Sequence, residues 1–183
     1  SCSPEEDMSN HDYPSYRSAR HLGGSCTEED VSSYYTDCYS GGDCAVFEPG
    51  GEKADCGACM AVSQLDDDEY GPLIRLGSGT NALDETNMAG CIELVGEPDC
   101  APNIMVAALC EYDACAENCP LAETATGYQD AIDCMRKART GVCEAAQTDA
   151  RCISQSSYVT ACSGSGFDSQ FLAVGRVFCV ENY

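Results

Sequence analysis

Residues 103–120 read NIMVAALCEYDACAENCP. Met105, Ala108, Leu109, Tyr112, Cys115 and Cys119 recur at the three- and four-residue steps of an α-helix. Pro120 stops that helix, because proline offers no N–H and its ring clashes with the turn before it. Cys110, Cys115 and Cys119 lie in the same stretch, so one segment carries both elements of the fold, a short helix and dense cross-linking. The remaining cysteines are Cys2, Cys26, Cys38, Cys44, Cys56, Cys59, Cys91, Cys100, Cys134, Cys143, Cys152, Cys162 and Cys179. Sixteen in 183 residues, an even number spread almost end to end, reads as a disulfide framework made in an oxidising compartment.

Composition explains why cross-links are needed. Leu, Ile, Val and Phe together make up 28 of 183 residues, and the formal charge is −22. Strong aliphatics below about 20% with a large net charge normally mark a chain that stays disordered. Ordering the backbone costs roughly 1–2 kcal/mol per residue. Each disulfide returns about 2–4 kcal/mol, chiefly by restricting the unfolded chain. Buried cystines add apolar core material, and 21 alanines suit closely packed helices.

Outward from residues 103–120, other helices announce themselves. Thr27 followed by Glu28, Glu29 and Asp30 is a helix start, with a side-chain cap and acids at the positive end of the dipole. Val31, Tyr34, Tyr35 and Cys38 continue it, and Gly41-Gly42 ends it. Residues 43–59 are loop-like, and Cys56 opens a short helix through Met60, Val62 and Leu65. Leu73 to Leu76 is too short to assign, and Gly77 to Asn87 reads as a flexible loop. Thr126 to Gln129 has capping-box spacing, and Tyr128, Ile132, Met135, Val142 and Ala146 mark the face that follows, interrupted at Gly141. Arg136, Lys137 and Arg139 fall late on that helix, where cations suit the dipole. A final helix is predicted from Asp168 to Val180, with Phe171, Leu172, Val174, Phe178 and Cys179 inward. Cys91, Cys100, Cys110 and Cys119, and again Cys134, Cys143, Cys152 and Cys162, step by nine or ten residues, as if a stapled helical hairpin were duplicated.

The charge excludes some functions. With 31 Asp and Glu against 9 Lys and Arg, the surface repels phosphate backbones, so nucleic acid is not an expected partner. No stretch approaches 18 apolar residues, so no membrane span is expected. No leader is visible, as in a mature exported chain, and Cys2 as a lipid anchor is disfavoured because Ser1 precedes it and its use would leave fifteen cysteines. The absence of an Asn-x-Ser/Thr sequon leans towards a bacterial source.

Candidate sites are sparse. Cys56-Gly57-Ala58-Cys59 has the redox spacing but lacks a βαβ setting, so a structural role is expected. Zinc, iron–sulfur and c-type haem spacings are missing. Asp66, Asp67, Asp68 and Glu69 offer hard oxygens for Ca²⁺ without the alternation of an EF-hand loop. His11 and His21 are the only histidines and no G-x-S-x-G elbow exists, which leaves a carboxylate-based hydrolase as the enzyme class to weigh. Tyr13, Tyr16, Tyr34, Tyr35 and Tyr39 crowd the first 39 residues, where they either form a binding face or pack a small core.

Asp55-Cys56-Gly57-Ala58-Cys59-Met60, Tyr70-Gly71-Pro72-Leu73, Gly90-Cys91-Ile92, Leu109-Cys110-Glu111-Tyr112-Asp113-Ala114-Cys115 with Asn118-Cys119-Pro120, and Val177-Phe178-Cys179 carry a resemblance. Over about residues 55–180 the chain resembles a group of exported cysteine-rich proteins of myxobacteria with no assigned function. The resemblance implies a secreted or envelope-associated, α-rich, disulfide-stapled protein, and it carries over no catalytic residue.

The expectation is a mainly α, disulfide-rich domain of short helices and long loops spanning 1–183. An irregular Tyr-rich region, 1–54, would precede a cysteine-rich helical region, 55–183. Its expected role is non-enzymatic binding of another protein or a glycan at the cell exterior, with a secreted carboxylate hydrolase or a Ca²⁺-dependent module as the alternative.

Overall fold

A computed structural model describes residues 2–121, 125–155 and 158–181 of the chain. In chain order its elements are α1 (Glu28–Tyr34), a π-helical turn (Tyr35–Tyr39), α2 (Ala54–Met60), β1 (Val62–Gln64), β2 (Leu73–Leu76), a 3₁₀ turn (Gly79–Asn81) and β3 (Leu83–Thr86). Then follow α3 (Met88–Leu94), α4 (Ala101–Ala116), α5 (Ala125–Thr140), α6 (Glu144–Asp149), a second 3₁₀ stretch (Ala150–Gln155), α7 (Tyr158–Cys162) and α8 (Phe167–Cys179). The fold is a small disulfide-rich helical domain with one short sheet.

Two helices organise it. α4 is buried on most of its circumference and packs against α3, α5 and α6, as a helix apolar nearly all round must. α8 buries Phe171, Val174, Val177, Phe178 and Cys179 against α1, α2, α3 and α7. Gly175 lets α8 approach closely, since a Cβ there would lie 2.8 Å from the Val31 Cγ1. Leu172, expected inward, is 37% exposed, because its position falls on the far side of the α8 stripe.

α1 starts as its sequence dictates. The Thr27 hydroxyl accepts from the Asp30 N–H at 3.1 Å, and the Asp30 carboxylate accepts from the Thr27 N–H at 2.8 Å. Lys53 joins at 2.7 Å, and it and Thr27 hold the Asp30 carboxyl down at about 2. α2 starts at Ala54, two residues before Cys56, and stops at Met60, so Val62 belongs to a strand instead. α5 starts at Ala125 and contains Thr126 to Gln129, so Thr126 is not its cap.

The segment read as a flexible loop is partly sheet. β2 is central, parallel to β1 and antiparallel to β3, with Ile74 opposite Glu85 and Arg75 opposite Asp84. Gly77, at φ +69°, lies so close to the Tyr112 hydroxyl that a side chain would overlap it. That hydroxyl donates to the Asn81 carbonyl at 2.6 Å and fixes the β2–β3 connection on α4. Buried Asn87 caps α3 by accepting from the Gly90 N–H at 2.8 Å, and donates to the Gly71 carbonyl at 2.9 Å.

All sixteen cysteines pair. Four bridges form a nested ladder, Cys91–Cys162, Cys100–Cys152, Cys110–Cys143 and Cys115–Cys134, with sequence separations of 71, 52, 33 and 19. This replaces the duplication reading, because no bridge closes within either four-cysteine group. Cys91, Cys100 and Cys110 on the α3–α4 arm and Cys162, Cys152 and Cys143 on the antiparallel α5–α7 arm step by nine or ten and stay level, whereas the last rung uses Cys115 and leaves Cys119 to Cys2. Cys2–Cys119 and Cys59–Cys179 tie the N-terminal half to the C-terminal half, while Cys26–Cys56 and Cys38–Cys44 close within the N-terminal half. Backbone bonds from Glu5 to Ala114, Arg20 to Tyr70 and Cys26 to Cys179 do the same for the irregular N-terminal stretch. A satellite core around Cys110, Cys115, Cys119, Cys134 and Cys143 is cystine sulfur packed with Met8, Ala114, Met135 and Ala138. No helix among the described residues is long and apolar enough to cross a membrane.

Candidate functional site

The sheet presents two different faces, because successive strand residues point to opposite sides. Ile74, Leu76, Leu83 and Glu85 share one face, and Leu73, Arg75, Asp84 and Thr86 share the other.

On the first face a cleft lies between the sheet and α4. It has two adjoining lobes of about 250 and 350 Å³ that share Glu85, Ile104, Ala108 and Arg139. Ile104, Ala107, Ala108 and Glu111 form a single α4 stripe at helical spacing. Arg139 from α5 grips both Glu111 oxygens, at 2.7 and 2.8 Å, and the Gln147 amide from α6 adds a bond at 2.5 Å. The acceptor capacity of the Glu111 side chain is thus largely occupied. Glu85 is its opposite. Among the described residues its carboxyl accepts no hydrogen bond, and protein surrounds it except towards the cleft. Burial, then the neighbouring Glu111 charge, pushes it up to about 7, against a smaller opposing pull from Arg139.

On the second face a groove of about 450 Å³ is lined by Tyr34, Tyr39, Val62, Leu73, Arg75 and Asp84. Arg75 and Asp84 pair bidentately, at 2.7 Å for both bonds. The Tyr39 ring, 38% exposed, is stacked on Phe167 at 5.2 Å and 26° and lies 5.5 Å from Phe171. Tyr35 stacks on Tyr39 at 5.8 Å and donates its hydroxyl to Asp168. Burial, then the Asp84 charge, raises the Tyr39 phenol to about 12.

The five early tyrosines therefore occupy different places. Tyr34, Tyr35 and Tyr39 meet around this groove and α8, with Tyr34 packed on Phe47 at 5.3 Å. Tyr16 donates to Glu93 on α3 at 2.5 Å, beside Tyr70, and Tyr13 lies on the His11 ring at 4.7 Å.

The remaining candidates resolve as follows. Cys56 and Cys59 are bonded to Cys26 and Cys179, not to each other. The Cys2, Cys119 and Cys134 sulfurs lie within 4.8 Å of one another, but each is spent in a bridge. In the Asp66–Glu69 turn, Asp67 accepts from the Gln64 N–H at 2.8 Å, and no three of these carboxylates converge within 4.8 Å. His11 pairs with Asp113 at 3.0 Å and His21 with the Glu181 carbonyl at 3.1 Å, and neither ring bonds a serine among the described residues.

Sequence reading did not single out Glu85, Glu111, Arg75 or Asp84. Glu111 had a signal, an acid on the apolar α4 stripe three residues after Ala108 and four before Cys115. Arg139 was assigned to the helix dipole, whereas it reaches across to Glu111. No known family, no curated protein and no solved structure matches the chain.

Proposed function

We propose that this is an exported, non-enzymatic binding protein of the cell exterior that recognises a glycan on the Tyr39 groove. One observation carries this reading, the partly exposed Tyr39 ring, stacked on both Phe167 and Tyr35, beside the Arg75–Asp84 pair. An aromatic face offers large contact area at low entropy cost, and a fixed Arg–carboxylate pair offers directed donors and acceptors for hydroxyls. Eight bridges suit an oxidising exterior, as does the resemblance to exported myxobacterial proteins. The non-enzymatic half is supported by Glu111. A hydrolase of the two-carboxylate kind needs both groups free to act on substrate or water, and here one is held by Arg139 and Gln147.

The test is a glycan array read with the wild-type protein, Tyr39→Ala and, as a control, Val46→Ala at an exposed site away from the groove. Tyr39→Ala is expected to lose about tenfold in affinity, the worth of one aromatic stacking contact. Hits that Tyr39→Ala leaves unchanged, or binding of a protein but no glycan, would sink the glycan assignment. Turnover of a glycoside or peptide that Glu85→Gln abolishes would replace the binder with an enzyme.

A further inference from the structure

The cleft on the opposite sheet face is a separate site, and its chemistry differs. Ile74, Leu76, Ile104, Met105 and Phe167 form the apolar part of the inner lobe, beside the polar Thr86, Asn87, Arg139 and Gln170. Its combined space suits a small molecule, not a polymer. The charged groups that face Glu85 are Glu111 from α4 and Arg139 from α5, already paired with each other, and Arg151 lines only the outer lobe. Asn87 at the inner lobe is committed to Gly71 and Gly90. Glu85 is therefore the charged group of the inner lobe with no hydrogen-bond partner among the described residues.

We infer that this cleft binds a small aliphatic ligand ending in an ammonium group, with its carbon chain along Ile74, Ile104 and Phe167 and its cation on Glu85. Three occupants can be compared. An anion meets Glu85, Glu111 and a chain of net charge −22, with Arg139 already neutralised. A neutral apolar molecule removes water from Glu85 and returns no partner, which is costly for a desolvated carboxylate. An alkylammonium buries its chain against the walls and supplies the missing counter-charge. The two sites meet at Phe167, but their deciding groups, Glu85 here and Tyr39 there, differ, so either proposal can fail without the other.

The ammonium requires ionised Glu85, so proton and ligand compete. Glu85 titrates near 7 and the cleft lining contains no histidine. Affinity therefore rises with pH between about 5.5 and 8. Binding at pH 7 also expels about half a proton, because the ligand pulls an evenly divided carboxyl into its charged form.

Calorimetry on the intact oxidised protein tests this with hexylammonium, hexanol, hexanoate and Nα-acetyl-lysine amide at pH 5.5 and 8, using wild type, Glu85→Gln and the cleft-filling Ala108→Phe. Near-UV circular dichroism confirms that both variants are folded. At pH 8 hexylammonium is expected to bind wild type at least about tenfold tighter than hexanol, a typical margin for a charge-assisted contact, and hexanoate not at all. Glu85→Gln should reduce hexylammonium to the hexanol level at both pH values. Ala108→Phe should weaken both ligands. Proton release, read in buffers of different ionisation enthalpy, should vanish in Glu85→Gln. Equal affinity for hexanol and hexylammonium, indifference to Glu85→Gln, or unchanged binding in Ala108→Phe would each overturn the inference. Tighter binding of the lysine amide would overturn the free small ligand and point to a lysine side chain of a protein.

Discussion

Glu85 and Glu111 show how environment divides two identical side chains. Glu111 sits among donors, with two bonds from Arg139 and one from Gln147 on its carboxyl oxygens. Glu85 lines a cleft and faces a like charge, and burial leads the rise of its carboxyl from 4.5 to about 7 against a smaller pull from Arg139. A carboxyl with a folded pKa above its unfolded one binds its proton more tightly in the native state. Its stabilising effect is fully present below about pH 4.5 and is lost as pH rises through about 7. The loss amounts to at most about 3 kcal/mol, since Glu85 keeps some access to water through the cleft. Thermal unfolding of wild type and Glu85→Gln between pH 4 and 8 should therefore diverge. Wild type should lose several degrees more than the variant as pH rises through 7, and parallel curves would show that Glu85 ionises normally.

At the scale of elements, α4 and α8 were legible because their apolar residues repeat at helical spacing over more than three turns, although α4 ends at Ala116, four residues before Pro120. The strands were not. β2 has four residues and reads as an apolar run of either type, while β3 carries Asp84 and Glu85, residue types depleted in strands. Acids are tolerated there because β3 is an edge strand and Asp84 is neutralised by Arg75. Glu85 was invisible for a related reason: its character depends on Glu111 and Arg139, both remote in sequence. The cysteine spacing was visible, but pairing requires knowing that the two arms run antiparallel. The bridges should differ in worth. Cys38–Cys44 closes a separation of 6 and Cys59–Cys179 one of 120, shortened to about 50 by a path through Cys91–Cys162. The loop-entropy relation gives about 2 kcal/mol for the first and about 4 kcal/mol for the second. Denaturant unfolding of the paired Cys→Ala variants should show the Cys59–Cys179 variant as the less stable, by about 2 kcal/mol.

For the whole molecule, the ladder decides whether a fold exists at all. Leu, Ile, Val and Phe number only 28 of 183, and the satellite core is largely cystine. Reduction would remove the entropic restraint and also convert buried cystines into thiols that no longer join their helices. The same step releases a chain of charge −22 whose self-repulsion favours expansion. The main core does hold Leu73, Ile92, Leu109, Phe171, Val174 and Phe178, but cystines run through it, so reduction cuts the links between the elements that carry those side chains. Treatment with a strong reductant at 25 °C and neutral pH should abolish the near-UV circular dichroism of the tyrosines and most far-UV helical signal in one step. High salt should restore compactness only in part, because it screens repulsion without replacing cross-links. A reduced protein that keeps a cooperative thermal transition would show that α4 and α8 hold the fold through packing alone. Partial reduction followed by alkylation and peptide mapping separates the two accounts further. If bridges support one cooperative unit, opening Cys110–Cys143 in the middle of the ladder should expose Cys100–Cys152 and Cys115–Cys134 together, not one at a time.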